Sequence, residues 1–202
     1  MKKHILTHGL LALHLACTPH QSPTQSITEQ LHTQPIRSTE EFFSLSPQNL
    51  ATRVLLLEDD TFTHTHTIAE VMFQRAYEQG KTLEESLIDG SYSGVSYARQ
   101  QVPQRALSQQ RFPPETLELA YDIIKELSQR KAPFREDGAD HFMHARFPSS
   151  YSLSYIKHNT NANPDFRQQY RIPHYAEQNT VGAKVHAQNE HSQTVLLLFD
   201  VY

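Results

Sequence analysis

Apolar positions fall into periodic blocks along this chain. From Ser46 the sequence runs SPQNLATRVLLLED. Ser46 suits a helix N-cap, and Pro47 suits the first helical position, where no amide hydrogen bond is lost. Leu50, Val54, Leu55 and Leu57 then cover most sides, as in a buried helix. A run of this length also fits a buried strand; the capping signal favours the helix. A second helix is predicted from about Thr65 to Gln79, where Ile68, Val71, Met72 and Ala76 recur at helical spacing and Gly80 stops the run. TLEESLIDG reads as a short third helix, with Thr82 and Glu85 as a capping box and Gly90 closing it. The fourth is the clearest: PPETLELAYDIIKELSQR opens on Pro113 and Pro114, with Leu117, Ala120, Tyr121, Ile124 and Leu127 as one stripe. Arg130 and Lys131 follow, favourable at a helix C-terminus.

The remainder is less periodic. SYSGVSYARQQVPQ reads as a loop with turns at Gly94 and Pro103, and GADHFMHARFP is short and aromatic. The stretch from Ser149 to Thr180 is polar, with an Asn-rich loop and one helical turn at NPDFRQQY. AKVHAQ and TVLLLFDVY read as strands joined through NEHS, a terminal hairpin. The expected fold class is α+β, mainly α, with a small terminal β hairpin.

Composition changes the picture at the N-terminus. The chain has 202 residues, enough for one domain with a core, and a formal net charge of −4. Acids and bases are mixed, which gives no electrostatic case for nucleic acid or an anionic membrane surface. MKKHILTHGLLALHLACTPH has a basic start, an apolar stretch and a small residue before Cys17. That is the layout of a bacterial secretory signal over residues 1–17. The apolar run is too short for an ordinary transmembrane helix. A cysteine after a small residue resembles a lipoprotein signal, in which Cys17 would carry the lipid anchor, although His14 stands where that pattern prefers Leu. Residues 18–46 are rich in Ser, Thr, Gln and Pro and read as a flexible tether, with the folded domain over 47–202. The expectation is an exported chain in the cell envelope, touching membrane only through that anchor.

Candidate chemistry is sparse. The only cysteine lies in the signal, which argues against Cys-His catalysis, and no G-x-S-x-G elbow is present. His64 and His66 would point roughly 200° apart on a helix, and only on a strand would they share a face. His141 and His144 have the spacing to share a helical face. Neither H-E-x-x-H nor a Cys2His2 pattern occurs, so solvated or capping histidines outweigh a metal site, and no cofactor is expected. That leaves Glu58, which follows an apolar run. A carboxyl against apolar walls has its charged form disfavoured and can serve as a general acid; an exposed helix-end glutamate fits the same pattern.

Taken together, several segments resemble the cell-wall hydrolase family of the spore-cortex-lytic enzyme SleB. In that family a helix ends at the catalytic glutamate with an arginine five residues before it; here LATRVLLLEDD places Arg53 and Glu58 so. IAEVMFQRAYEQG puts Gln74 and Arg75 where the family has V-L-N-R-V. SLIDGSYSGVSYARQ is a looser match carrying Tyr92, Gly94 and Tyr97. The family's H-Y-H-A corresponds to DHFMHA with His141, Phe142 and His144, one residue longer. Its P-x-W-A corresponds to Pro173, Tyr175 and Ala176, and its last motif to Thr180, Val181, Gly182 and His186. Two departures stand out. Asp59-Asp60-Thr61-Phe62 replace A-R-G-E, so the second glutamate is missing, and a polar insertion spans about Ser149 to Arg171.

The resemblance implies a lysozyme-like helical domain that binds peptidoglycan glycan strands and cleaves them as a lytic transglycosylase, with Glu58 as the single acid/base. It implies that His141, His144, Tyr175 and His186 line or support the groove, with Tyr92 and Tyr97 as weaker candidates. The alternatives are a non-catalytic envelope lipoprotein that binds peptidoglycan, and a histidine-metal amidase of the cell wall.

Overall fold

The computed structural model describes residues 39–59, 62–89, 92, 112–173 and 179–201. Among them, α1 (Thr39–Phe43), α2 (Pro47–Glu58), α3 (Thr65–Glu78), α4 (Leu83–Asp89) and α5 (Pro114–Gln129) precede β1 (His141–Pro148). Helices α6 (Leu153–Ala162) and α7 (Pro164–Gln169) then lead to β2 (Asn179–Gln188) and β3 (Ser192–Asp200). The chain is a mixed helix-and-strand protein with a small antiparallel sheet in the order β1-β3-β2.

Local signals place the helices. The Ser46 hydroxyl accepts the Asn49 amide at 3.4 Å, and Pro47 opens α2 as expected. Gly80 follows α3 at φ +63°, a conformation that costs a residue with a Cβ more than glycine. At α4 the capping box is complete: Glu85 accepts the Thr82 amide at 2.8 Å, and the Thr82 hydroxyl accepts the Glu85 amide at 3.2 Å. In α5 the buried stripe is Leu117, Ala120, Ile123, Ile124 and Leu127, while Tyr121 is half-buried.

β3 lies between two apolar layers. Leu196 and Leu198 join the cluster built by α2 to α5, with Leu50, Val54, Leu55, Ile68, Met72 and Ile124. Val195, Leu197 and Phe199 join the opposite cluster, with Ala145, Phe147, Ile156 and Phe166 from β1, α6 and α7. Side chains alternate across a strand, so burial on both faces yields the unbroken apolar run TVLLLF.

Three elements differ from the sequence reading. The segment HFMHARFP is a third strand, β1, paired with β3 from His141 opposite Phe199 to Pro148 opposite Ser192. His141 and His144 therefore point to opposite faces of a sheet and do not share a helical face. The insertion after Ser149 carries the expected turn at NPDFRQQY as α7 and an additional helix, α6; Ser152 caps α6 on the Tyr155 amide (3.2 Å) and Asn163 caps α7 on the Phe166 amide (3.1 Å). The stretch expected to be tether up to Ser46 includes α1, whose Phe42 is fully buried in the core. No helix among the described residues is long and apolar enough to cross a membrane. The proposed signal and Cys17 lie outside the described residues.

One buried side chain ties α3 to the segment entering the sheet. Gln74 is 2% exposed, and its Oε1 accepts the amides of Phe134 (2.9 Å) and Arg135 (3.3 Å). Its Nε2 donates to Glu78 at 2.6 Å. We predict that Gln74→Leu destabilises the fold by about 1–3 kcal/mol, because two part-buried amides lose their acceptor. Urea unfolding measures it; a change indistinguishable from zero would mean water fills the role.

The α4 cap supplies a pH prediction. Hydrogen bonds first from the Thr82 amide and then from its hydroxyl hold Glu85 below the ordinary carboxylate range. A lowered folded-state pKa gives a contribution present above the unfolded pKa and lost as pH falls through the folded one. The Thr82 amide proton, followed by NMR, should titrate with a midpoint below the 4.5 of free glutamate. A midpoint at or above that value would show that the cap does not persist in solution.

Candidate functional site

Glu58 is the last residue of α2 and is half-buried. The helix ends there because Asp59 leaves helical geometry at φ −130° and ψ 80°, while its amide still donates to the Leu55 carbonyl at 3.1 Å. Arg53, on the same helix, is 2% exposed, and burial pushes its guanidinium down to about 10.

Asp59 is 1% exposed and begins a chain of contacts across the fold. Its Oδ2 accepts the His64 amide at 2.8 Å and the Thr65 hydroxyl at 3.0 Å. The His64 side chain makes no capping bond, so Asp59 caps α3 from five residues upstream. His64 is thereby free to turn its ring toward the sheet, where Nε2 lies 2.9 Å from the Val185 carbonyl oxygen. Beside α3, the Lys184 ammonium donates to the Thr67 hydroxyl at 3.0 Å.

Three histidines gather at this seam. The His64 and His186 ring centroids are 5.7 Å apart, and those of His186 and His144 are 4.4 Å apart. Phe142 stands edge-on to His144 at 6.4 Å. His144 lies opposite Leu196 on β3 and so shares the face packed on the helices. His186 sits at a register shift in β2: Val185 pairs with Val195 and Ala187 with Thr194, leaving His186 as the extra residue. Such bulges re-aim a side chain locally.

The structure thus brings together His144 and His186, and sets the residue after Glu58 against His64. It does not bring His141 to them. His141 faces the α6–α7 layer, with Nδ1 3.0 Å from Asp140 Oδ1, which also accepts the Val201 amide at 3.0 Å. The expected groove role of Tyr92 is also corrected: it is 3% exposed, beneath the Arg75 guanidinium. Burial, with a further push from the Glu58 charge and against the opposing pull of Arg75, moves its phenol up to about 12. Tyr97 and Tyr175 lie outside the described residues. The paired histidines of THTH also part company: His66 faces Glu70 at 3.5 Å, in a network with Arg130 and Arg135.

His64 is the site residue that sequence reasoning missed. Its place before the α3 stripe was legible, but nothing in local spacing reports a contact 121 positions away. Among the described residues, no three His, Cys, Asp or Glu side chains are arranged to hold a metal ion. The arrangement offers one carboxyl at a helix end and imidazoles able to donate or accept hydrogen bonds. No family model, curated relative or solved structure matches this chain.

We predict that Asp59→Ala lowers stability by about 0.5–2 kcal/mol, the range for loss of a helix cap. Asp59→Asn, which keeps one acceptor oxygen, should recover part of it. Chemical denaturation of both variants decides; equal stability in Asp59→Ala and the parent would remove the cap from the account.

Proposed function

We propose that this chain cleaves peptidoglycan glycan strands by a lytic-transglycosylase mechanism, on a lysozyme-like domain, with Glu58 as the single acid/base. The observation that carries the reading is the position of Glu58. It terminates a buried helix, and its neighbour Asp59 is tied through His64 to the strand that bears His186. The C-terminal end of a helix carries the negative end of its dipole, which favours a protonated acid there. Export through an N-terminal signal, with Cys17 as the lipid anchor, would deliver such an enzyme to its substrate.

In this reading Glu58 donates its proton to the glycosidic oxygen as the bond to C1 of the N-acetylmuramoyl unit breaks. The resulting carboxylate then takes the proton of the muramoyl C6 hydroxyl as that oxygen attacks C1. The product is a 1,6-anhydro end. No water nucleophile enters, so no second carboxylate and no cofactor are required, and the missing glutamate of the family pattern is accommodated. His144 and His186 supply ring nitrogens for N-acetyl groups, Tyr97 and Tyr175 would supply aromatic contacts to sugar faces, and His141 would support β1 from the opposite side of the sheet.

The test is incubation of the protein lacking residues 1–17 with intact peptidoglycan, followed by mass spectrometry of the products. Anhydromuropeptides are expected. Reducing ends would instead indicate a muramidase, and freed stem peptides an amidase. Glycan binding without any product would indicate a scaffold. We predict that Glu58→Gln lowers turnover by at least about 10²-fold, the usual scale of general acid–base catalysis. A rate near that of the parent would remove Glu58 from the mechanism.

A further inference from the structure

The α6–α7 layer presents more aromatic surface than covering β3 requires. Phe147 and Phe166 are buried there, and Tyr151 and Tyr170 pack half-buried against them. The ring centroids of Tyr170 and Phe147 are 4.7 Å apart, and those of Tyr151 and Phe166 are 6.3 Å apart. Tyr155 adds a third tyrosine further out. Its centroid lies 4.7 Å from Tyr151 and 6.0 Å from Phe166, and the residue is 46% exposed. Tyr151 stands edge-on to both other tyrosines, with Tyr170 at 6.3 Å. The three rings form one shelf on the side of β3 opposite the helices that include α2. Exposed Ser154, Gln168 and Gln169 lie on the same helices, and Gln169 Nε2 donates to the Tyr170 hydroxyl at 3.4 Å.

The cations of this layer are not neutralised. Lys157 donates to the Val181 carbonyl at 2.7 Å, and Arg167 to the carbonyls of Thr160 (2.9 Å) and Asn161 (3.1 Å), so dipoles meet their charges and carboxylates do not. Arg171 is exposed and makes no ion pair among the described residues. Between Ser149 and Pro173 the only acid is Asp165. In the helical layer, by contrast, Arg130 and Arg135 both pair with Glu70. Arg171 also works against its own backbone. It closes α7 at φ +53°, its amide bonded to the Gln168 carbonyl (3.2 Å) and the next amide, of Ile172, to that of Arg167 (2.9 Å). Gly80 closes α3 with the same two bonds, to Tyr77 and, through Lys81, to Ala76. Left-handed backbone suits glycine and disfavours a residue with a Cβ, so the local fold does not call for an arginine there.

We propose that the tyrosine shelf, with Arg171 next in sequence to Tyr170, is a second glycan-holding surface for a sugar polymer that carries carboxylates. Tyrosine rings offer flat apolar faces to the C–H faces of pyranose rings, and the surrounding hydroxyls and amides suit sugar hydroxyls. The unneutralised cations suit carboxylates. Peptidoglycan has both parts, an amino-sugar backbone and stems that end in carboxylates. The proposal rests on the glycan reading for the identity of the polymer alone. The shelf cuts nothing; it holds the protein on the polymer from the side of the sheet away from α2. A protein partner would look for an apolar centre, whereas Tyr155 is the single large exposed hydrophobic of this layer among the described residues.

The test is co-sedimentation of the full chain with purified peptidoglycan over a range of polymer concentrations, with Glu58→Gln as the parent so that the polymer stays intact. Tyr155→Ala and Arg171→Gly should each weaken retention severalfold, and the two together by about tenfold. Added salt should weaken the parent more than Arg171→Gly. Glycine suits the backbone at position 171, so Arg171→Gly should melt no lower than the parent, and its loss of retention then owes nothing to unfolding. Unchanged retention in both variants overturns the proposal, as does a parent that is not retained at all. Dimerisation of the parent that Tyr155→Ala abolishes, with retention unchanged, would assign the shelf to a second copy of this chain. The readout needs no cleavage. Weaker retention of the shelf variants, in a protein whose unmutated form makes no anhydromuropeptides, would sink the catalytic reading and leave the shelf standing; normal cleavage with unchanged retention would do the reverse.

Discussion

The constraint on which the rest depends is the burial of β3 on both faces. A strand that is apolar on one side needs one covering layer. This strand needs two, and the chain supplies them from helices on either side of β1 in the sequence. Helices α2 to α5 cover the side of Leu196 and Leu198, and α6 with α7 cover the side of Val195, Leu197 and Phe199. Once β3 is central, β1 and β2 must flank it, and His144 and His186 are carried to the same face from strands that do not touch each other. The two rings meet above β3 with centroids 4.4 Å apart, closer than the strands that carry them, and the bulge at His186 is the local feature that re-aims its side chain.

The helical half was legible because helices announce themselves locally. Ser46, Pro47, Thr82, Glu85 and Gly80 mark ends, and the stripe of α5 marks a face. The sheet was legible only in part. The hairpin of β2 and β3 is local, and its strands carry a recognisable pattern. β1 was harder because polar histidines occupy positions on both of its faces, which blurs the alternation of Phe142, Met143, Ala145 and Phe147. Helix α6 was missed because only Ile156 and Thr160 are buried on it, too few to make a stripe stand out against its Asn and Ser residues.

The candidate site divides in the same way. Glu58 and its helix could be read from capping and apolar spacing. His144 and His186 came from motif resemblance and do lie together. His141 and Tyr92 carried the same warrant and lie elsewhere, since a motif records which residues accompany a site and not which way each one faces. The links that hold the seam, Asp59 to His64 and His64 to Val185, depend on one carboxylate reaching forward five residues and one ring reaching 121. Such contacts are properties of packing, beyond the reach of local pattern.

Strand β2 carries two register shifts, one between Thr180 and Gly182 and one between Val185 and Ala187. Each inverts the parity of the strand, so even-numbered residues face the α6–α7 side at both ends and the helical side between. The strand behaves like a text with a one-letter insertion and a second insertion that restores the frame. Deleting either extra residue would leave every remaining pair with β3 as it is and make the ladder regular at that point. The sheet therefore does not need its bulges, and losing the second one would remove only the position from which His186 reaches its neighbours.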